Sequence, residues 1–249
     1  MKEYLLNNMK LHSISKEELL ERIGMWARKN ESRVVCFANV HMNIECVESE
    51  KVKEAVNSAD IVCPDGMPLV WWLKRKGEHD QERLDGPSMM LEICKYAQEN
   101  NLKIGLYGSE KDVLNALIDN LKKMFSALKI TYSYSPPFRD LTPEEEEKIL
   151  EEINQSKTQI LFVSLGCPKQ EIWMSKNKGK INAVMIGVGA AFNMHAGKIK
   201  RAPLWMQRMG LEWLYRLIKE PRRLWRRYLY TNLKFIKLLV TETLVRGSR

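Results

Sequence analysis

The feature that most constrains this chain is a repeated junction. A short buried strand runs into a turn, and the turn opens a helix. The clearest instance is Ile160-Leu161-Phe162-Val163-Ser164-Leu165-Gly166-Cys167-Pro168-Lys169-Gln170-Glu171. Its opening residues are apolar, β-branched or aromatic, as suits a strand buried on both faces. Gly166 permits a sharp turn, and Pro168 suits the first helical position, where no N–H is needed. Strands alternating with helices imply a mostly parallel sheet covered on both faces.

The same pattern recurs along the chain. Arg33 to Val40 reads as a strand, and Met42 to Ser58 carries apolar residues at helical spacing. Ile61-Val62-Cys63 is a strand stopped by Pro64-Asp65-Gly66, with a helix from Met67 to Lys74. Asp85-Gly86-Pro87 opens a helix through Tyr96. Lys103 to Tyr107 is a strand ending in Gly108-Ser109-Glu110, before a helix to Phe125 and a strand from Leu128 to Tyr134. Ala183 to Gly187 is the last strand, followed by Val188-Gly189-Ala190-Ala191-Phe192-Asn193. Ser15-Lys16-Glu17-Glu18 and Thr142-Pro143-Glu144-Glu145 have the pattern of capping boxes. Beyond Arg201-Ala202-Pro203 the alternation gives way to helix, from Leu204 to Lys219 and from Pro221 to Val245. The expectation is an α/β core over residues 1–200 and a basic helical appendage over 201–249.

Charge separates the same two parts. From Lys198 to Arg249 there are 14 basic and 3 acidic residues, a net +11, which leaves the first 197 residues at −2. Such a tail seeks an anionic partner: nucleic acid, an anionic membrane or a phosphate-bearing substrate. Arg222, Arg223, Arg226 and Arg227 interleave with Leu224, Trp225, Tyr228 and Leu229, as in a helix lying at a membrane interface. A helix packed on its own domain is the plainer alternative, and no recognised nucleic-acid motif accompanies it. The five cysteines form no CxxC pair, and Cys36, Cys63 and Cys94 have apolar neighbours, so buried thiols in a reducing compartment are expected. No signal peptide and no run of ~20 apolar residues is visible, which points to the cytoplasm.

In an open α/β sheet, ligand groups gather beyond the carboxyl ends of the strands. Asn39, Asp65, Gly108-Ser109, Lys169-Gln170 and Asn193 fall there. Asp65, between Pro64 and Gly66, suits a general base, or a turn aspartate. Asn39 suits a sugar hydroxyl, or a backbone group. Gly108-Ser109 offers N–H groups to a phosphate at a helix start, without a Walker loop. Gly187-Val188-Gly189 lacks the third glycine of a dinucleotide fingerprint. The four histidines are scattered and no Asp-x-Asp pair occurs, so neither metal nor cofactor is expected. Arginine and lysine must then neutralise any pyrophosphate, and Arg83, Lys169, Arg216, Arg223 and Arg226 are available.

Seven segments resemble, in order, the WecG/TagA/CpsF family of bacterial glycosyltransferases over residues 39–228. They are Pro64-Asp65-Gly66-Met67-Pro68-Leu69-Val70-Trp71, Glu82-Arg83-Leu84-Asp85-Gly86-Pro87, Leu106-Tyr107-Gly108-Ser109, Ser135-Pro136-Pro137-Phe138-Arg139, Gly166 to Glu171, Gly187 to Phe192, and Gly210-Leu211-Glu212-Trp213-Leu214-Tyr215-Arg216. The resemblance implies a Rossmann-like α/β domain with a C-terminal helical appendage on the inner face of the cell membrane. It implies an inverting, metal-independent transfer in cell-surface polysaccharide synthesis. The donor would be a UDP-sugar, most often of N-acetylmannosamine or a related hexose or uronic acid. The acceptor would be a polyprenyl-diphosphate-linked sugar, such as undecaprenyl-diphosphate-N-acetylglucosamine.

By position, Asp65 matches the general base, and Asn39, Arg83 and Gln170 match the pocket for donor sugar and diphosphate. Gly166, Lys169 and Glu171 belong to the same substrate-binding segment. Gly108, Ser109 and Asn193 lie where the nucleotide sits. Arg216, Arg223 and Arg226 match arginines that read the lipid diphosphate, with Arg222 and Arg227 adding charge. Some members carry threonine where this chain has Phe37, and many carry aspartate at Asn193. The resemblance leaves a homo-oligomer open and implies no nucleic-acid partner. The competing reading is a non-catalytic membrane- or nucleic-acid-binding module with an α/β body.

Overall fold

The computed structural model describes residues 1–247, apart from the side chains of residues 208, 223 and 242–247. The chain opens with an antiparallel hairpin of β1 (Lys2–Leu6) and β2 (Met9–Ser13), followed by α1 (Lys16–Arg28). Alternation then begins with β3 (Arg33–Ala38), α2 (Val40–Glu48), α3 (Glu50–Asn57), β4 (Ile61–Pro64), α4 (Met67–Arg75) and α5 (Gly86–Glu99). It continues through β5 (Lys103–Gly108), α6 (Lys111–Met124), β6 (Lys129–Tyr134), α7 (Pro143–Gln155), β7 (Ile160–Ser164), α8 (Lys169–Asn177), β8 (Val184–Gly187) and α9 (Ala191–His195). Three helices close the chain: α10 (Leu204–Arg208), α11 (Glu212–Lys219) and α12 (Pro221–Gly247).

Strands β3 to β8 form one parallel sheet in the order β4-β3-β8-β7-β5-β6. Side chains alternate between its two faces. On β3, Val35 and Phe37 pack with α1, α5, α6 and α9, whereas Val34, Cys36 and Ala38 pack with α2, α3, α7 and α8. Both faces are covered, so the strands read as continuous apolar runs. Cys36, Cys63 and Cys94 are buried free thiols, as their neighbours in sequence suggest, and Cys46 is buried as well.

Four local features depart from the sequence pattern. The first is the hairpin itself, turned by Asn7 and Asn8 in left-handed conformations (φ 50° and 65°). It covers edge strand β4, where the Val62 N–H donates to His12 Nδ1 at 2.9 Å. The second is the helix expected from Met42 to Ser58, which breaks at Ser49. That residue is extended, and its hydroxyl caps α3 by accepting from the Val52 N–H. The third is the helix expected from Leu204 to Lys219, which breaks at Gly210 (φ +73°). The fourth is Pro168, which sits at the cap, one residue before α8 begins.

The Thr142–Glu145 capping box is complete. The Ser15 box is half made: Ser15 accepts from the Glu18 N–H, but the Glu18 carboxylate pairs with the N-terminal ammonium and Arg22. The expected boundary at 200/201 falls in an irregular stretch, residues 196–203. Beyond it, α12 packs along α2, placing Phe235 in the core beside Met42 and Ile44 and pairing Lys234 with Glu48. Among the described residues, no helix is long and apolar enough to cross a membrane.

Candidate active site

The chain leaves β3 for β4 on one side and returns to β3's other side only at β8. Ligands bind open α/β sheets at such a reversal. Here the carboxyl ends of β3, β4 and β8, with α11 and α12 opposite, enclose a cleft of about 1160 Å³.

Asp65 lines this cleft and is held from two sides. Its N–H and that of Gly66 both donate to the Ala38 carbonyl at the end of β3, at 2.8 and 3.1 Å. Arg83 Nε donates to the Asp65 carbonyl at 2.6 Å, and Arg83 Nη2 donates to Asp65 Oδ1 at 3.0 Å. Burial pushes the Asp65 carboxyl up to about 6; Arg83 pulls it down, while Asp85 and Glu212 add to the rise. Burial alone would weaken the Arg83 charge, but Asp65, Asp85 and Glu212 outweigh it and hold the guanidinium protonated.

Three members of this network, Glu212, Arg201 and Asp85, are not among the site residues expected from the sequence. Glu212 Oε2 accepts from Arg83 Nη2 at 2.9 Å, and Glu212 Oε1 accepts from Arg201 Nε at 3.2 Å. Arg201 also reaches Asp85 Oδ1 at 2.7 Å. Glu212 lies inside the segment Gly210–Arg216 that carries the family resemblance. An acid among apolar residues at the start of an amphipathic helix was its available signal.

The other expected residues divide into groups. Asn39 lines the cleft, and its Oδ1 also caps α2 by accepting from the Met42 N–H at 3.2 Å. Gly166 and Gln170 line the cleft as well. Gln170 Oε1 accepts from the Gly189 N–H at 3.1 Å, and its Nε2 donates to Glu171 Oε1 at 2.7 Å. Glu171 is fully buried beneath Gln170 and does not line the cleft, nor does Lys169. Phe37 forms part of the cleft floor, close to Gly86 on the core face of β3.

Gly108, Ser109 and Asn193 lie together at the end of β5, outside the cleft around Asp65. Gly108 (φ +118°) has no room for a Cβ, which would stand 2.4 Å from the Ser164 carbonyl oxygen. The Ser109 N–H donates to that same oxygen at 3.1 Å, and Asn193 Nδ2 donates to Ser109 Oγ at 3.4 Å. Met194, next to Asn193 on α9, lines the main cleft and so joins the two regions.

The appendage arginines sort differently from the sequence expectation. Arg216 and Arg227 line the cleft, and the Nε of each is buried without a hydrogen-bond partner. Arg226 is exposed and lies over the Trp225 ring, outside the cleft. The Arg223 side chain lies outside the described residues. His41 Nδ1, also in the cleft wall, has no hydrogen-bond partner; burial, with Arg227 beside it, pushes His41 down to about 4. His41 Nδ1 lies 3.6 Å from Glu45 Oε1 on its own helix, so the cationic groups that the appendage brings to this cleft are Arg216 and Arg227, which suit an anionic oxygen-rich ligand. Among the described residues, no group of three or more His, Cys, Asp or Glu is placed to hold a metal ion.

A doubly covered parallel sheet, a buried acid at its switch point and two arginines lining the same cleft, each with an Nε that makes no hydrogen bond, define an α/β enzyme for an anionic substrate. The chain belongs to the WecG/TagA/CpsF family of glycosyl transferases, whose family model matches residues 4–249, and it is a glycosyltransferase. It is 30% identical over 202 residues to the N-acetylglucosaminyldiphosphoundecaprenol N-acetyl-beta-D-mannosaminyltransferase of Bacillus spizizenii, covering 81% of this chain and 76% of that protein. The protein of the same name from Bacillus subtilis is 29% identical over 197 residues, covering 79% and 75%.

Proposed function

We propose that this enzyme transfers N-acetylmannosamine, or a closely related sugar, from its UDP conjugate to N-acetylglucosamine on a polyprenyl diphosphate, with inversion and without a metal ion. The observation that carries this reading is Asp65 at the switch point, raised to about 6 and lining the same cleft as Arg216 and Arg227. A base near that value is ionised at neutral pH and still accepts a proton. Asp65 takes the proton of the acceptor hydroxyl as its oxygen attacks the anomeric carbon. The bond from that carbon to the UDP oxygen breaks, and its electron pair leaves on the diphosphate.

Asn39 and Gln170 hold the donor sugar, and the nucleotide lies toward Ser109 and Asn193. Arg216 and Arg227 hold the lipid diphosphate, with Arg227 taking the role that the family resemblance implies for Arg226. The names of the two Bacillus relatives support the sugar and the lipid. The chain works at an anionic membrane surface on the cytoplasmic side. Trp205, Trp225, Leu229, Leu233 and Ile236 are all exposed on the appendage, as are Arg222 and Arg226, which supports this placement.

The test is UDP release by the full chain with a lipid-diphosphate-N-acetylglucosamine analogue, chelator present, across UDP-N-acetylmannosamine, UDP-glucuronate, UDP-glucose and UDP-N-acetylglucosamine. Acceptor-dependent release from UDP-N-acetylmannosamine, lost in Asp65→Ala, is the expected result. Release from another donor alone replaces the sugar, a strict need for added divalent metal overturns the metal-free step, and acceptor-independent release overturns the transfer.

A further inference from the structure

We propose that Glu212 is a positioning residue for Asp65: from the appendage it holds Arg83 in a shared grip, so that the arginine supports the base without capturing it. This rests on the reading of Asp65 as the base. Glu212 stands at the start of α11 and is 8% exposed. Its Oε2 accepts from Arg83 Nη2, the same nitrogen that reaches Asp65 Oδ1. One nitrogen thus bridges two carboxylates from segments far apart in the chain. Glu212 Oε1 accepts from Arg201, which is itself anchored to the body through Asp85 Oδ1 at 2.7 Å and Ser88 Oγ at 2.9 Å. Although Glu212 lines the cleft, each of its oxygens accepts from an arginine, so it holds Arg83 in place.

The chemistry of the shared arginine gives the consequence. A guanidinium free of Glu212 is able to turn both forks to one carboxylate, and a bidentate pair is the strong form of this contact. Asp65 would then bind its proton less readily and present less of itself to an acceptor hydroxyl. Charged and titratable groups reach the Asp65 region from every neighbouring element. Cys63 comes from β4, Arg75 and Lys76 from the end of α4, Arg83 and Asp85 from the segment before α5, His41 from α2, Cys167 from the turn before α8, Glu212 and Arg216 from α11, and Arg227 from α12. Among them, Glu212 and Asp85 favour protonation of Asp65, and Arg83 opposes it.

The experiment measures acceptor-dependent UDP release against pH for the full chain and for Glu212→Gln, Glu212→Asp, Arg201→Gln and Asp65→Asn, with thermal unfolding of each. Glu212→Gln should move the acid limb down by about half a pH unit and lower kcat about tenfold, with donor KM little changed. Glu212→Asp keeps the charge and should hold the limb near its original position. Arg201→Gln leaves Glu212 and Asp85 less neutralised, so the limb should move up. A purely structural role would lower the unfolding temperature and leave the limb still. An inactive Asp65→Asn together with an unmoved limb in both Glu212→Gln and Arg201→Gln overturns the positioning role alone. An active Asp65→Asn overturns the base itself. Should Glu212→Gln fail to fold, Arg201→Gln decides, since a limb that stays or falls there refutes the proposal.

Discussion

Arg83 meets Asp65 twice, through Nε to the main-chain carbonyl and through Nη2 to Oδ1, and so fixes both the turn and the carboxylate that the turn presents. Burial nevertheless wins over this cation and raises the carboxyl to about 6 from its ordinary value of 3.8. A general base works only when ionised. Transfer should therefore climb with pH to a limb near 6 and level off above it. A falling profile through the same range would assign Asp65 the opposite role, as an acid. Asp65→Asn should reduce kcat by roughly 10²- to 10⁴-fold, the span of a positioned base, with the unfolding transition preserved.

The two inward arginines separate from their outward neighbour. Arg216 and Arg227 carry buried Nε atoms without partners, and Arg226 lies exposed over Trp225. A charged hydrogen bond to phosphate contributes about 1.5–3 kcal/mol, or roughly ten- to hundredfold in binding. Arg216→Ala and Arg227→Ala should each raise KM for the lipid acceptor by that factor. Arg226→Ala should leave that KM within about twofold and instead weaken binding to anionic vesicles, by about 1 kcal/mol per charge. Acceptor titrations and vesicle sedimentation read the two effects apart, and equal losses in all three variants would defeat the distinction.

Much of this architecture was legible because parallel strands and their helices leave a strong local record. The junctions at Asp65, Gly108, Gly166 and Gly187 each end a run of apolar residues, and each strand lies where its run lies. The misses have local physical causes. Asn7-Asn8 is a left-handed turn pair whose flanking strands are short, so their alternation is brief. Ser49 divides a helical pattern without a glycine or proline to mark it, because its hydroxyl caps the second helix. Arg226 and Arg227 are adjacent in sequence, and only the docking of α12 on α2 decides which one faces inward. The Glu212–Arg83 pair joins distant segments, and no spacing along the chain records it.

The hairpin offers a test of stability. His12 is buried, and its Nδ1 accepts from the Val62 N–H, so that nitrogen must be free of a proton in the folded state. Burial lowers the His12 pKa from 6.5, with Glu3 opposing. A base with a depressed folded pKa stabilises the fold above its unfolded pKa, and this stability is lost as pH falls through the folded value. His12→Ala should cost about 1–3 kcal/mol at pH 8, the penalty for leaving the Val62 N–H buried and unpaired. The gap from the parent should narrow below pH 6.5. Denaturant unfolding at several pH values measures it, and a gap that widens on acidification would contradict the assignment.

Gly210 gives a sharper test of how the appendage is seated. Its φ of +73° ends α10, and a Cβ there would stand 2.7 Å from Met67 Cγ on α4. The next residues but one carry Glu212 onto Arg83, so the close approach of Gly210 to α4 sets where α11 begins. Gly210→Ala adds left-handed strain of about 1–2 kcal/mol and the contact with Met67. Gly77 makes the control, because it has φ +99° yet nothing within 4 Å of its Cβ position. Gly77→Ala carries strain of the same kind without disturbing the cleft. Both variants should lower the unfolding temperature by a few degrees, roughly 2–4 °C per kcal/mol for a chain of this size. Only Gly210→Ala should also lose transfer activity, by about tenfold or more, because α11 then no longer delivers Glu212 to Arg83. Equal activity in the two variants would mean that the register of α11 against α4 does not govern the site.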